Sequence, residues 1–217
     1  MSARERVARL VAELPAEPQF PTQGATLFVD LERREVRRAY TPLRVVRMFL
    51  GGRGANMFYL YRLLDETLHP LHPDIPLVFG SGTLTGIVPS AARGNVTSWS
   101  PESGVILDCN AGDYFPSFMK LAGVDHLVLY GRAPEWTIVH LRDGRVTFLD
   151  AARYVGLDNI DLRERIANDL GGEWTRDLAM ASIARSGRPA PRFWPATVAA
   201  APISPTDVHV ISAKSSV

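Results

Sequence analysis

The sequence predicts an α+β fold, with hairpin-rich β-sheets and helices packed against them. Three observations predict it. Strand-like runs outnumber helical ones, most neighbouring runs are joined by hairpin-length turns, and the helical stretches come in clumps. A doubly wound α/β sheet would instead place a helix after nearly every strand. The chain has 217 residues, enough for one sizeable domain. With 46% hydrophobic and 22% charged residues it has the composition of an ordinary globular protein.

Residues 2–13 alternate charges with Val, Leu and Ala at helical spacing and predict a surface helix, followed by the Pro-rich linker "LPAEPQFPTQG". "ATLFVDL" and "EVRRAY" form a hairpin across "ERR". "LRVVRMFL" predicts a helix ending at Gly51-Gly52, and "ANMFYLYRLLDE" a second, with Met57, Leu60, Tyr61 and Leu64 on one face. "LVFG" is a short buried strand leading into the loop "SGTLTGIVPSAA". "GNVTSWS" and "VILDCN" are strands joined through "PESG". "DYFPSFMKLAG" is a helix with Pro116 in its first turn and Gly123 near its C-cap. "HLVLYG", "WTIVHL" and "RVTFLD" are strands, the last two turning at Asp143-Gly144. "NIDLRERIANDLGG" is an amphipathic helix closed by glycine, and "DLAMASIA" a final strand. The last thirty-odd residues lack sustained periodicity, contain one acidic residue, Asp207, and read as a tail.

Composition narrows the function. A net charge of +1 gives no bulk attraction for nucleic acid or an anionic membrane. No apolar run approaches the roughly 20 residues a bilayer span needs, and the N-terminus lacks the uninterrupted apolar stretch of a signal peptide. A cytoplasmic protein is the expectation. Cys109 is the only cysteine, so this chain alone holds neither an intrachain disulfide nor a four-thiolate metal site. The histidines are scattered, and the closest pair, in "HPLH" (69–72), sits in a proline loop without the helical spacing of a metal motif. No metal ligand and no catalytic residue is assigned.

No G-x-S-x-G elbow is present, and Cys109 in the alternation "VILDCN" is expected to pack as a small buried residue. Neither G-x-G-x-x-G nor G-x(4)-G-K-[ST] occurs. The informative stretch is "AARGNVTSWSPESGVILDCNAGDYF" (91–115). Here a Gly/Ser/Thr-rich loop delivers Arg93, and Asn110-Ala111-Gly112 makes a tight turn at a helix start. Backbone N–H groups with a guanidinium fork nearby suit a phosphate oxygen. The plainer alternative is a surface arginine beside turn-forming glycines. Arg53 in "GGRGAN" is read mainly as an arginine tying its turn to a neighbouring strand, with an anion contact as the alternative.

Taken together, Gly52-Arg53-Gly54, Gly82-Thr83-Leu84-Thr85-Gly86, Arg93, Ser100-Pro101, Gly104, Asn110-Ala111-Gly112, Tyr114-Phe115, Lys120 and Ala122-Gly123 form an ordered series. In that order they resemble the N-terminal domain of the tungsten-containing aldehyde ferredoxin oxidoreductases, over roughly residues 24–183. The resemblance implies an α+β base built as two related halves, on which a tungsten or molybdenum bis-pterin lies with a bridging magnesium ion. Arg93, Asn110, Ala111 and Gly112 would be its cofactor-binding residues. Asp113 stands where the family has a second glycine, and its charge could repel a phosphate or cap the following helix. Residues 91–92 are Ala-Ala where the family often has glycine.

The same resemblance sets the expected domains: 1–23 as helix and linker, 24–183 as the pterin-binding domain, 184–217 as a non-homologous tail. Where the family commonly reads Gly-Pro after Ser182-Ile183, this chain reads Ala184-Arg185. Glycine and proline codons read one base out of frame give alanine and then a codon beginning with C, such as arginine. A frame slip or truncation near residue 183 is therefore expected. The family oxidises aldehydes to carboxylic acids and passes electrons through a 4Fe-4S cluster to a ferredoxin-like acceptor. The cluster's ligands are absent from this chain, so these 217 residues alone are expected to be inactive. Missing C-terminal domains or a separately encoded subunit would be the partner, with room for a homodimer. The alternatives are a non-catalytic binding module working with such a partner, and a phosphate-binding domain of another sort.

Overall fold

The computed structural model describes residues 1–112, 114–173 and 176–182, together with the strand 208–213. Helix α1 (Ala3–Glu13) starts where the sequence places it, because Ser2 and Glu5 form a capping box. β1 (Ala25–Asp30) and β2 (Glu35–Ala39) form the first hairpin, and α2 (Leu43–Phe49) and α3 (Gly52–Leu63) follow. β3 (Leu77–Ser81), β4 (Gly94–Trp99), β5 (Ile106–Ala111), α4 (Tyr114–Leu121) and β6 (Val124–Tyr130) complete the first sheet and its helices. Its strand order is β2-β1-β6-β3-β4-β5. A second sheet contains β7 (Thr137–Arg142), β8 (Arg145–Asp150), β9 (Leu178–Ala181) and β10 (Val208–Ala213), in the order β8-β7-β10-β9. Helix α5 (Asn159–Leu170), N-capped by Asp158 and closed by Gly171 in the left-handed region, connects β8 towards β9.

The two sheets repeat one pattern. In the first, β2–β1 is antiparallel, β1–β6 parallel and β6–β3 antiparallel. In the second, β8–β7 is antiparallel, β7–β10 parallel and β10–β9 antiparallel. In both, a helix leads from the hairpin to the third strand, α3 in one half and α5 in the other. The return from β3 to β6 carries β4, β5 and α4. The candidate site lies in that return.

Both faces of the first sheet are covered. Leu27 and Val29 of β1, Phe79 of β3 and Leu127 and Leu129 of β6 pack on Phe118 and Met119 of α4 and on Val139, Leu141 and Ala179 of the second sheet. The opposite residues, Phe28, Val78 and Val128, meet Val7 and Leu10 of α1 and Tyr59 and Leu63 of α3. That is why β1 and β6 are buried along their whole length rather than alternating. The far face of the second sheet is closed by Leu162 and Ile166 of α5 against Ile138 and Leu178.

Several expectations change. The inward face of α3 carries Ala55, Asn56, Tyr59, Leu60 and Leu63, while Tyr61 is 85% exposed. Apolar periodicity mislocated this face because two inward residues are held by polar contacts. The Tyr59 hydroxyl hydrogen-bonds those of Thr26 and Thr41, each at 2.8 Å, and Asn56 bonds across β3 and β4. Cys109 is half-buried rather than buried, because β5 is the edge strand of its sheet. Within the stretch read as a tail, Val208–Ala213 is a strand held by main-chain pairing on both sides. Its sequence, VHVISA, alternates apolar and polar residues only as far as Val210, so no period stands out. The rest of that stretch, and Asp113, lie outside the described residues.

Candidate functional site

β4 and β5 pair antiparallel with Gly94 opposite Ala111 and Asn95 opposite Asn110. The next positions outward are Arg93 and Gly112, so the two segments singled out in the sequence form the open end of one hairpin. On a strand, side chains two apart share a face. Arg93, Asn95 and Asn110 therefore project from the same face as Gly112. The guanidinium lies directly over that glycine: a Cβ on Gly112 would sit 3.1 Å from Arg93 Nη1 and 3.5 Å from Cζ. The arginine uses the space that the missing side chain leaves. Among the described residues no carboxylate pairs with it, and the residue is exposed.

The loop before β4 fixes where Arg93 starts. Thr85 Oγ1 accepts the Gly82 N–H at 2.9 Å and donates to the Arg93 carbonyl at 3.0 Å. The Gly86 N–H closes the same loop on Ala91 O at 2.7 Å. Thr83 N bonds Leu50 O at 3.3 Å, and Gly51 and Gly82 form an isolated bridge, which docks the loop on the turn between α2 and α3. That turn passes through three successive left-handed residues, Leu50, Gly51 and Gly52.

Of the four residues read as cofactor contacts, three meet at the hairpin end on one face. Ala111 is buried on the other, lining a small void with Val96, Phe115 and Met119, so only its main chain reaches the rim. Arg53 binds Asp108 of β5, Nε to Oδ2 at 2.8 Å, and so ties the start of α3 to the neighbouring strand. The other oxygen of Asp108 accepts from Asn95 Nδ2.

Sequence reading missed the layer beneath this rim. The hydrogen of Asn95 Nδ2 not used by Asp108 is shared between Cys109 O at 3.3 Å and Asn110 Oδ1 at 3.2 Å. Asn95 Oδ1 accepts from Thr97 Oγ1 at 2.6 Å and from Asn56 Nδ2 at 3.2 Å. Asn56 Oδ1 meets His126 Nδ1 at 2.9 Å. Asn56, Asn95, Thr97 and His126 are all buried, and burial pushes the His126 pKa down to about 3. The signal available in the sequence was polar: Asn and Thr at positions 95 and 97 of a strand otherwise buried, and Asn56 inside an apolar helix. Gly80 lets these groups meet across β3, since a Cβ there would collide with Asn56 Oδ1 and come within 2.7 Å of His126 Nδ1.

The arrangement suits an anion. A guanidinium and an amide share one face above a glycine, and a main chain without a Cβ permits close approach. Among the described residues no cluster of His, Cys, Asp or Glu could hold a metal ion. His69 and His72 serve their own loop, their Nδ1 atoms accepting from Leu71 N and Asp74 N. No described helix is long and apolar enough to cross a membrane.

Comparison with known proteins places these features in a family. Residues 26–197 match the family model of the aldehyde ferredoxin oxidoreductase N-terminal domain. A tungsten-containing aldehyde ferredoxin oxidoreductase of Pyrococcus furiosus is 29% identical over 171 residues, and one of Thermococcus kodakarensis is 30% identical over 171. Each alignment covers 78% of this chain and 28% of the relative. An aliphatic sulfonate oxidoreductase WOR-like subunit of P. furiosus is 28% identical over 153 residues, covering 69% of the chain and 24% of the relative. The active-site complex BamBC of benzoyl-coenzyme A reductase shares the fold, with TM-score 0.77, 22% identity, and coverage of 88% of this chain and 31% of that one. The chain thus spans under a third of the length of these relatives.

Proposed function

The chain belongs to the aldehyde ferredoxin oxidoreductase family of oxidoreductases, and from that premise we propose that the open end of the β4–β5 hairpin is half of a cradle for a tungsten or molybdenum bis-pterin. The observation that carries this reading is the Arg93 guanidinium lying over Gly112, with Asn110 beside it on the same face. Arg93 would form a bidentate pair with a pterin phosphate, Asn110 would add a neutral donor, and Gly112 would let the main chain approach. A magnesium ion is part of the same proposal; among the described residues no cluster of His, Cys, Asp or Glu would hold it, so it would be held chiefly by the cofactor. When bound, the cofactor supplies two-electron oxidation of an aldehyde to a carboxylic acid. This chain's residues bind and orient it.

The iron–sulfur part of the proposal does not fit this chain, because a 4Fe-4S cluster needs four thiolates and the sequence has one cysteine. The cluster, the second half of the cradle and the docking of a ferredoxin-type acceptor would come from further domains or a separate subunit. The exposed side chains beside the site support this. Met48 and Leu50 at the end of α2, and Leu84 and Ile87 in the loop bonded to it, form an apolar margin. Residues 24–183 would then be the pterin-binding domain, acting in the cytoplasm.

The test is metal and pterin analysis of the protein purified from cells supplied with tungstate. Bound pterin without iron is expected. A preparation free of pterin at every stage of purification would contradict the reading.

A further inference from the structure

Beneath the rim, the fixed acceptors around each amide nitrogen decide which way each amide points. Backbone carbonyls only accept. Asn56 Nδ2 lies 3.2 Å from Val78 O and 3.0 Å from Asn95 O, so the nitrogen of Asn56 faces both. Its oxygen must then face His126, whose Nδ1 carries the hydrogen. Burial holds this histidine neutral, which preserves that tautomer. Asn95 is fixed in the same way. Cys109 O and the Asp108 carboxylate can only accept, so the nitrogen of Asn95 faces them, and its oxygen receives the Thr97 hydroxyl at 2.6 Å. The carboxylate takes one hydrogen of the Asn95 NH2 and the other is shared between Cys109 O at 3.3 Å and the Asn110 side chain at 3.2 Å, so the atom of Asn110 that faces this donor is its oxygen. Asn110 is exposed, and its NH2 is left on the outer side, on the face that carries Arg93.

We propose that Asn56 and Asn95 are positioning residues that lock the Asn110 side chain as a donor at the rim. The cradle then takes ligand groups that only accept hydrogen bonds, phosphate oxygens above all, and the Asn110 side chain offers no oxygen to a cation. The proposal rests on the reading of this rim as an anion site. It adds a rule for which atoms the rim presents, set from inside the fold by residues that touch no ligand.

Inorganic pyrophosphate is a suitable probe, followed by proton–nitrogen NMR of the 217-residue protein with melting curves for each variant. In the wild type, the Asn110 side-chain NH2 and the Arg93 Nε–H signals are expected to shift together. Asn110→Leu should weaken pyrophosphate about tenfold, the lower end for losing a hydrogen bond to a charged group. Asn95→Asp sets a second carboxyl against Asp108, so the two hold one proton between them; the oxygen then facing Asn110 accepts, and the Asn110 NH2 should turn inward. Its response to pyrophosphate should vanish while that of Arg93 persists. A relay of merely structural importance would alter the melting curve and leave the Asn110 response in place. If Arg93 responds and Asn110 does not, or if Asn95→Asp leaves the Asn110 response intact, the proposal is overturned and the anion site stands. If neither signal responds and Arg93→Ala changes nothing, the anion site itself is refuted. Should Asn95→Asp not fold, the wild-type and Asn110→Leu spectra decide the matter.

Discussion

Gly112 shows how a single missing side chain sets the geometry of the rim. Its backbone is outside the left-handed region, so alanine there meets no conformational penalty; the crowding comes from the Arg93 guanidinium, 3.1 Å from the new Cβ. Because that group is the far end of a flexible chain, Gly112→Ala should change stability by about 0.5 kcal/mol or less, yet move the guanidinium and lower pterin retention. Melting curves beside pterin assays check both halves. Gly80→Ala has the opposite profile. It would drive a methyl between Asn56 and His126 and should cost about 3 kcal/mol, read from denaturant unfolding. His126 also gives the fold a pH dependence. Its folded pKa of about 3 lies below the ordinary value of 6.5, so the folded state binds fewer protons than the unfolded state between those values. The stability it contributes is present above about pH 6.5 and is lost as pH falls towards 3. The slope of unfolding free energy against pH should approach one proton in that window and flatten in a variant that replaces His126 with a non-titrating residue.

At the scale of elements, a buried ion pair joins α4 to β6. Lys120 Nζ bonds Asp125 Oδ1 at 2.6 Å and also donates to Thr22 O, tying the linker after α1 to the same point. Burial raises the pKa of Asp125 despite its partner. Lys120→Met should destabilise by about 3–5 kcal/mol, since it strands a buried carboxylate. The loss should be greatest at neutral pH and shrink as acid protonates Asp125, because a raised folded pKa favours folding at low pH. Apart from β10 the main elements were legible: hairpins with short turns and a proline confined to a first turn are local signals, and each is where the sequence places it. The positions of Arg93 and Gly112 were legible for a related reason, since strand pairing brings the two ends of a hairpin together. The polar layer was not. Asn56, Asn95 and His126 are far apart in the chain, and only the sheet order, with β6 beside β3 and β3 beside β4, brings them into contact. β10 was illegible because its alternation stops after Val210, and its place between β7 and β9 is set by pairing over long intervals.

At the scale of the molecule, two β-hairpin–helix–strand–strand units share one pattern, and the first carries an added hairpin and helix that form the rim. Around that rim Leu50 is 71% and Met48 72% exposed, which is costly for a surface that faces only water. The protein alone should bind a hydrophobic dye or self-associate, and a partner covering this face should suppress both. Dye fluorescence and light scattering measure this. The most direct test of the whole account is pterin retention in Arg93→Ala against wild type, with melting curves on the same preparations. Retention should fall about tenfold or more while the melting temperature stays within a degree or two, because the guanidinium is exposed and supports no described side chain. Equal retention in the two proteins would contradict the account.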